Sequence, residues 1–142
     1  MTVKDLKRED IPLLISANKY FSDGWNENML TSAFDACNFF GKIAFTDNEF
    51  SGFITYSVAL DTADINDIFV FEKFRKKGIA KTLLKEGMSD LKSKGVKKLF
   101  LEVREGNIPA KNLYEFVGFK VLSVRKKYYG DGENAINYYM EL

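Results

Sequence analysis

The 142-residue chain has no histidine, one cysteine and no apolar run near the ~20 residues a membrane-spanning helix requires. Without histidine there can be no Ser-His-Asp or Cys-His triad, and no metal site that needs imidazole. The lone thiol, Cys37, excludes a disulfide framework and a thiolate metal cluster, so no metal is expected. Acid–base chemistry is left to carboxylates, tyrosines, lysines, the thiol, backbone and water. Charge of one sign is not in excess either. The 21 basic and 20 acidic residues leave a net +1, which argues against broad, direct nucleic-acid binding. The first ten residues carry no signal-peptide core, so a cytoplasmic protein without a membrane partner is expected.

What is present points to a folded globule. A composition of 46% hydrophobic and 29% charged residues rules out disorder, and the length fits one domain over residues 1–142. Periodicity predicts the order β-α-α-β-β-β-α-β-α-β-β. A short strand spans Thr2 to Leu6. A helix starts at Asp10, with Pro12 in its first turn. After a break at Ser22-Asp23-Gly24, Asn26 caps a helix through about Ala36. Strands from Phe39 to Thr46 and Phe50 to Ala59 flank an Asp47-Asn48 turn. A fourth strand covers Asp64 to Phe71, a long helix Gly78 to about Lys94, and an apolar strand Lys97 to Val103. A helix spans Ile108 to Val117 and ends at Gly118. Phe119 to Arg125 and Ala135 to Leu142 form a closing hairpin. The fold class is therefore α/β, with a mixed sheet of about seven strands flanked by about four helices. The fourth and fifth strands, joined through the long helix, should be parallel.

The most informative stretch runs from Ile68 to Lys81: a strand end, a basic glycine-containing loop and a helix start. Unpaired N–H groups at a helix start and its partial positive charge receive phosphate. Gly78 lets a ligand approach the backbone, and Ala80 keeps the next turn lean on the far side of Ile79. Arg75, Lys76, Lys77 and Lys81 add positive charge. A solvated helix start with surface lysines would read the same way. The loop is neither a Walker loop nor a dinucleotide fingerprint.

Arg75-x-x-Gly78-x-Ala80 between a strand and a helix resembles the pyrophosphate loop of the GNAT superfamily of N-acetyltransferases. Leu101-Glu102-Val103-Arg104-x-x-Asn107, followed by Leu113-Tyr114-x-x-x-Gly118-Phe119, resembles the pattern of its ribosomal-protein alanine N-acetyltransferase subfamily. The tail from Tyr128 to Ala135 is similar to that subfamily's hairpin, and Trp25 to its helix start. Two positions depart from the pattern: Gly24 stands where proline is usual, and Asn134 where aspartate is frequent. These departures bear on the acceptor.

The resemblance implies acetyl-coenzyme A as co-substrate, with Arg75 to Lys81 and Asn107 as its ligands. It also implies that the backbone of Ile68, Phe69 and Val70 pairs with the pantetheine arm as an added strand. Glu102 would deprotonate the incoming amine, and Tyr114 would protonate the departing thiolate. Trp25 and Tyr129 would line the acceptor side. Residue by residue, other readings stay open. Glu102 ends an apolar strand, where partial desolvation would raise its pKa toward the working pH, yet an ion pair with Arg104 is also possible there. Tyr114 could be packing, and Asn107 a helix cap, a ligand or both. Cys37 is expected to be a small buried residue, so transfer should be direct. The expected activity is acetyl transfer to a primary amine, foremost the N-terminal amine of a protein such as a ribosomal protein, by a monomer or homodimer. The alternatives are a small amine (polyamine, aminoglycoside, amino acid) and a non-catalytic coenzyme A-binding module.

Overall fold

The computed structural model describes residues 1–21 and 24–142; Ser22 and Asp23 of the expected break lie outside the described residues. The elements follow the expected order: β1 (Thr2–Asp5), α1 (Ile11–Ala17), α2 (Glu27–Asp35), β2 (Phe39–Thr46), β3 (Glu49–Ala59), β4 (Thr62–Val70), α3 (Ile79–Ser93), β5 (Lys98–Arg104), α4 (Ile108–Val117), β6 (Lys120–Arg125) and β7 (Ala135–Glu141). The strands form one seven-stranded sheet in the order β1-β2-β3-β4-β5-β7-β6. Among the described strands only β4 and β5 pair parallel, with α3 as the crossover. No described helix is long and apolar enough to cross a membrane.

Local chemistry explains most boundaries. Asp47 and Asn48 both take positive φ, 51° and 64°, which makes the tight β2–β3 turn. The Asn26 side chain accepts a hydrogen bond from the Met29 N–H at 2.9 Å and starts α2. Gly118, at φ 118°, ends α4. β4 begins two residues earlier than expected. The chain reverses at Leu60, an exposed leucine at φ 58°, so Ala59 already faces Thr62.

The sheet buries both faces. Leu14, Leu30, Phe39, Ile43 and Phe53 form a core under α1 and α2. Leu83, Leu84, Leu91, Leu101 and Tyr138 form a larger one under α3 and α4. Each buried aliphatic or aromatic side chain contributes roughly 1.5–3 kcal/mol by leaving water. Gly87 lets α3 approach the sheet: a Cβ there would lie 3.1 Å from the Tyr56 ring. The Tyr56 hydroxyl then donates to Asp90 at 2.6 Å, and Lys94 donates to the same carboxylate at 2.8 Å.

Cys37 corrects an expectation. It is exposed, at φ 60° just past the end of α2, where the reversal turns its side chain off the core. A thiol reagent should therefore label the native protein fully without denaturant; labelling only on unfolding would contradict this placement. Asp90 generates a second prediction. Burial alone would raise its pKa, but the hydrogen bonds from Lys94 and Tyr56 outweigh burial and hold it below the ordinary value. Its contribution to stability is thus present above the unfolded pKa of about 4 and is lost as pH falls through the folded value. Asp90→Ala should cost about 1–3 kcal/mol in urea melts at pH 7 and flatten the acid limb of stability.

Candidate active site

β4 and β5 pair only from Thr62–Lys98 to Ile65–Leu101. Beyond that point Asn66–Val70 and Glu102–Arg104 no longer pair with each other. The cause lies on the other side of β4. Ile65 pairs with Tyr56 and Asp67 with Thr55, so Asn66 is an extra residue, and such a bulge bends its strand. The splay opens a cavity of about 1570 Å³ whose walls include both strand ends.

At one end of this cavity is the basic loop. After β4 a short 3-10 turn buries Phe74 and carries the chain back. Arg75 donates from Nε to the Val70 carbonyl at 2.9 Å, with its guanidinium 5.9 Å from the Phe69 ring centre. Lys76 and Gly78 take positive φ, 62° and 78°, and no side chain caps the first turn of α3. A Cβ at Gly78 would meet no atom within 4 Å, so open space lies over this helix start. Arg75, Lys76, Gly78, Ile79 and Ala80 line the cavity, as do Ile68, Phe69 and Val70. Lys77 and Lys81 are not among the lining residues. Their ammonium groups lie 5.8 Å from the Phe74 ring centre and 4.4 Å from that of Phe116.

Glu102, Asn107 and Tyr114 line the same cavity. Asn107 caps α4, its side chain accepting from the Ala110 N–H at 3.2 Å. Tyr114 is buried between Phe119 and Tyr138. Burial first, then the charge of Asp67, push its phenol well above the ordinary range. Glu102 is more open than expected, with 31% of its side chain exposed. It stands opposite Asn137 of β7, on the strand face that the cavity reaches. Its ion pair is with Arg125, at 3.6 Å, whereas Arg104 pairs with Asp131 and Glu133.

Trp25 and Tyr129 also line the cavity. Trp25 stacks on Phe39, and its carbonyl accepts from Asn18 Nδ2 at 2.8 Å. At Gly24 a Cβ would fall 2.0 Å from Asn18 Oδ1, so a larger residue there requires the Asn18 side chain to shift. Asn134 also has a use that aspartate lacks. Its Oδ1 accepts from the Lys127 N–H while its Nδ2 donates to Glu105 at 2.8 Å.

Sequence reasoning missed several neighbours of Glu102. The Tyr128 hydroxyl hydrogen-bonds Glu102, and that bond raises the phenol's pKa. Asp64, on the same sheet face one strand away, is held above its ordinary value by burial and by the charge of Glu102. Parallel pairing of the two strands was readable, but the register that places Asp64 opposite Phe100 was not.

Residues 11–119 match the acetyltransferase (GNAT) family, and the chain belongs to it. It is 37% identical over 106 residues to an N-alpha-acetyltransferase of Saccharolobus solfataricus, covering 66% of this chain and 64% of that one. It is 39% identical over 94 residues to a ribosomal protein bS18-alanine N-acetyltransferase of Haemophilus influenzae, covering 63% and 64%. In both cases the match spans just under two thirds of the relative's length. The crystal structure of the Escherichia coli ribosomal-protein-S18-alanine N-acetyltransferase superposes with a TM-score of 0.90 at 28% identity, covering 99% of this chain and 92% of that one.

Proposed function

We propose that residues 1–142 act as one acetyl-coenzyme A-dependent N-acetyltransferase domain whose acceptor is the N-terminal amine of a protein, with a ribosomal protein the favoured class. The observation that carries this reading is a single cavity lined both by the uncapped Gly78 helix start and by Glu102 and Tyr114. GNAT acetyltransferases use acetyl-coenzyme A as co-substrate, and the residues present fit it. Open space above Gly78 and the free first turn of α3 suit a pyrophosphate. The edge of β4 over Asn66–Val70, which pairs with β3 but has parted from β5, suits an extended amide-bearing arm. Arg75 is fastened to the strand end beside this turn, and Lys76 adds a second cation.

The bound thioester supplies an activated acyl group. Glu102 takes the proton from the acceptor ammonium, directly or through water. Its openness to the cavity suits a base that must meet an incoming substrate. Tyr114 stays protonated throughout the physiological range and donates to the departing thiolate. The same buried surroundings raise the proton affinity of a thiolate beside it, which favours the transfer. Trp25 and Tyr129 line the acceptor side, and a cavity of about 1570 Å³ has room for a peptide end beside the coenzyme.

Glu102→Gln and Tyr114→Phe should each lower kcat by about 10²–10⁴ on an N-terminal alanyl peptide. Near-native turnover in both would remove their roles. Because the Tyr114 phenol is raised, its loss should cost the same factor at pH 7 and at about pH 9.5. A cost that shrinks with pH would mean that the phenol ionises in that interval. Gly78→Asp should weaken acetyl-coenzyme A binding by at least roughly tenfold in calorimetry, since its carboxylate enters the phosphate space. Unchanged affinity would move the coenzyme elsewhere.

A further inference from the structure

We propose that Arg104 is a positioning residue that sets where the acceptor lies. It fastens the β6–β7 connection, residues 126–134, over the cavity and so fixes Tyr129 relative to Glu102. The proposal rests on the acetyl-transfer reading and deepens it.

Polar contacts, not packing, hold this connection: the Tyr128 hydroxyl bonds Glu102 near one end and Asn134 Nδ2 donates to Glu105 at the other. None of its nine residues is buried, so no apolar core fixes its position. Its internal bonds, Tyr129 N–H to the Glu133 carbonyl and Gly132 N–H to the Tyr129 carbonyl, shape a tight turn without tying it to the sheet. Between those two ends Arg104 ties the turn at residues 129, 131 and 133. Its Nη1 donates to Asp131 at 2.8 Å and to Glu133 at 3.0 Å, and its guanidinium stacks 4.1 Å from the centre of the Tyr129 ring. One side chain thus holds three residues of the turn. Arg104 and Glu133 are 23% and 33% exposed, against 53% and 64% for the Arg8–Asp35 pair, so that contact is better shielded from water and salt, while Asp131 at 62% stays open.

The chain just after Arg104 completes the attachment. The second Glu133 oxygen accepts from the Gly106 N–H at 3.0 Å, and the Asn134 carbonyl accepts from the Glu105 N–H at 3.0 Å. Glu102 and Arg104 are alternate residues of β5 and share a face. The strand end that carries the proposed base therefore also carries the anchor of the acceptor wall. Their relative placement is set by two residues of one strand.

Arg104→Gln should raise KM for an alanyl peptide by roughly tenfold while leaving kcat at saturation and acetyl-coenzyme A affinity within about twofold. Arg104→Lys keeps one charge but not the two-carboxylate contact, and should fall between the two. The double variant Asp131→Asn/Glu133→Gln, at an exposed and a half-buried position, should reproduce the KM effect, which covers the case of an Arg104 variant that fails to fold. Hydrogen exchange should quicken at the amides of residues 129–133 and not in β5. An unchanged KM, or a KM rise matched by lost acetyl-coenzyme A affinity, would overturn the proposal, as would unaltered exchange. Exchange needs no turnover. A wild-type protein that acetylates no peptide would defeat the transfer reading and the acceptor role with it, while exchange would still decide whether Arg104 holds the turn.

Discussion

The functional part of this structure depends on a place where hydrogen bonding stops. β4 and β5 leave each other after Ile65 and Leu101, because Asn66 is one residue too many for its partner β3. Strand separation would normally expose unpaired backbone at a cost. Here the β4 edge that has parted from β5 lies beside an uncapped helix start, and the two together suit a ligand that is anionic at one end and amide-bearing along its length. The well-packed remainder of the sheet keeps that separation rigid: Leu83, Leu84 and Leu91 hold α3 against it, and Tyr56, Asp90 and Lys94 tie the far end of the helix.

Much of this was legible in the sequence, for reasons that can be named. Asp47-Asn48, Asn26 and Gly118 are residues whose side chains or backbone freedom fit one local geometry, and each marks the boundary it was expected to mark. The Gly78 turn was readable as a helix start, since glycine tolerates the positive φ that the chain takes there. Leu60 was not readable as a turn residue, since nothing in a leucine favours positive φ; neighbouring strand pairing imposes it. Cys37 was misjudged for the same kind of reason. Its residue type favours burial, but its place just beyond a helix end decides otherwise.

The residues that the family resemblance singled out, Glu102 and Tyr114, line one cavity, and the electrostatics around them was less legible. The loop lysines divide in a way that spacing could not foretell: Lys76 turns to the cavity, while Lys77 and Lys81 settle over aromatic rings. Asp64, Arg125 and Tyr128 come to Glu102 from three different segments, and only sheet register and the closing hairpin unite them. Long-range register depends on packing, and local sequence carries little of it.

The β6–β7 connection has a further consequence. Its nine residues contribute nothing to either core, and they meet the strand end mainly through polar side chains and a few backbone bonds. Replacement of this rim can therefore proceed with little penalty to folding, as long as the carboxylates facing Arg104 are kept. On the proposed reading, a new preference for the acceptor would arise at these surface positions alone, with the strand beneath them left as it is.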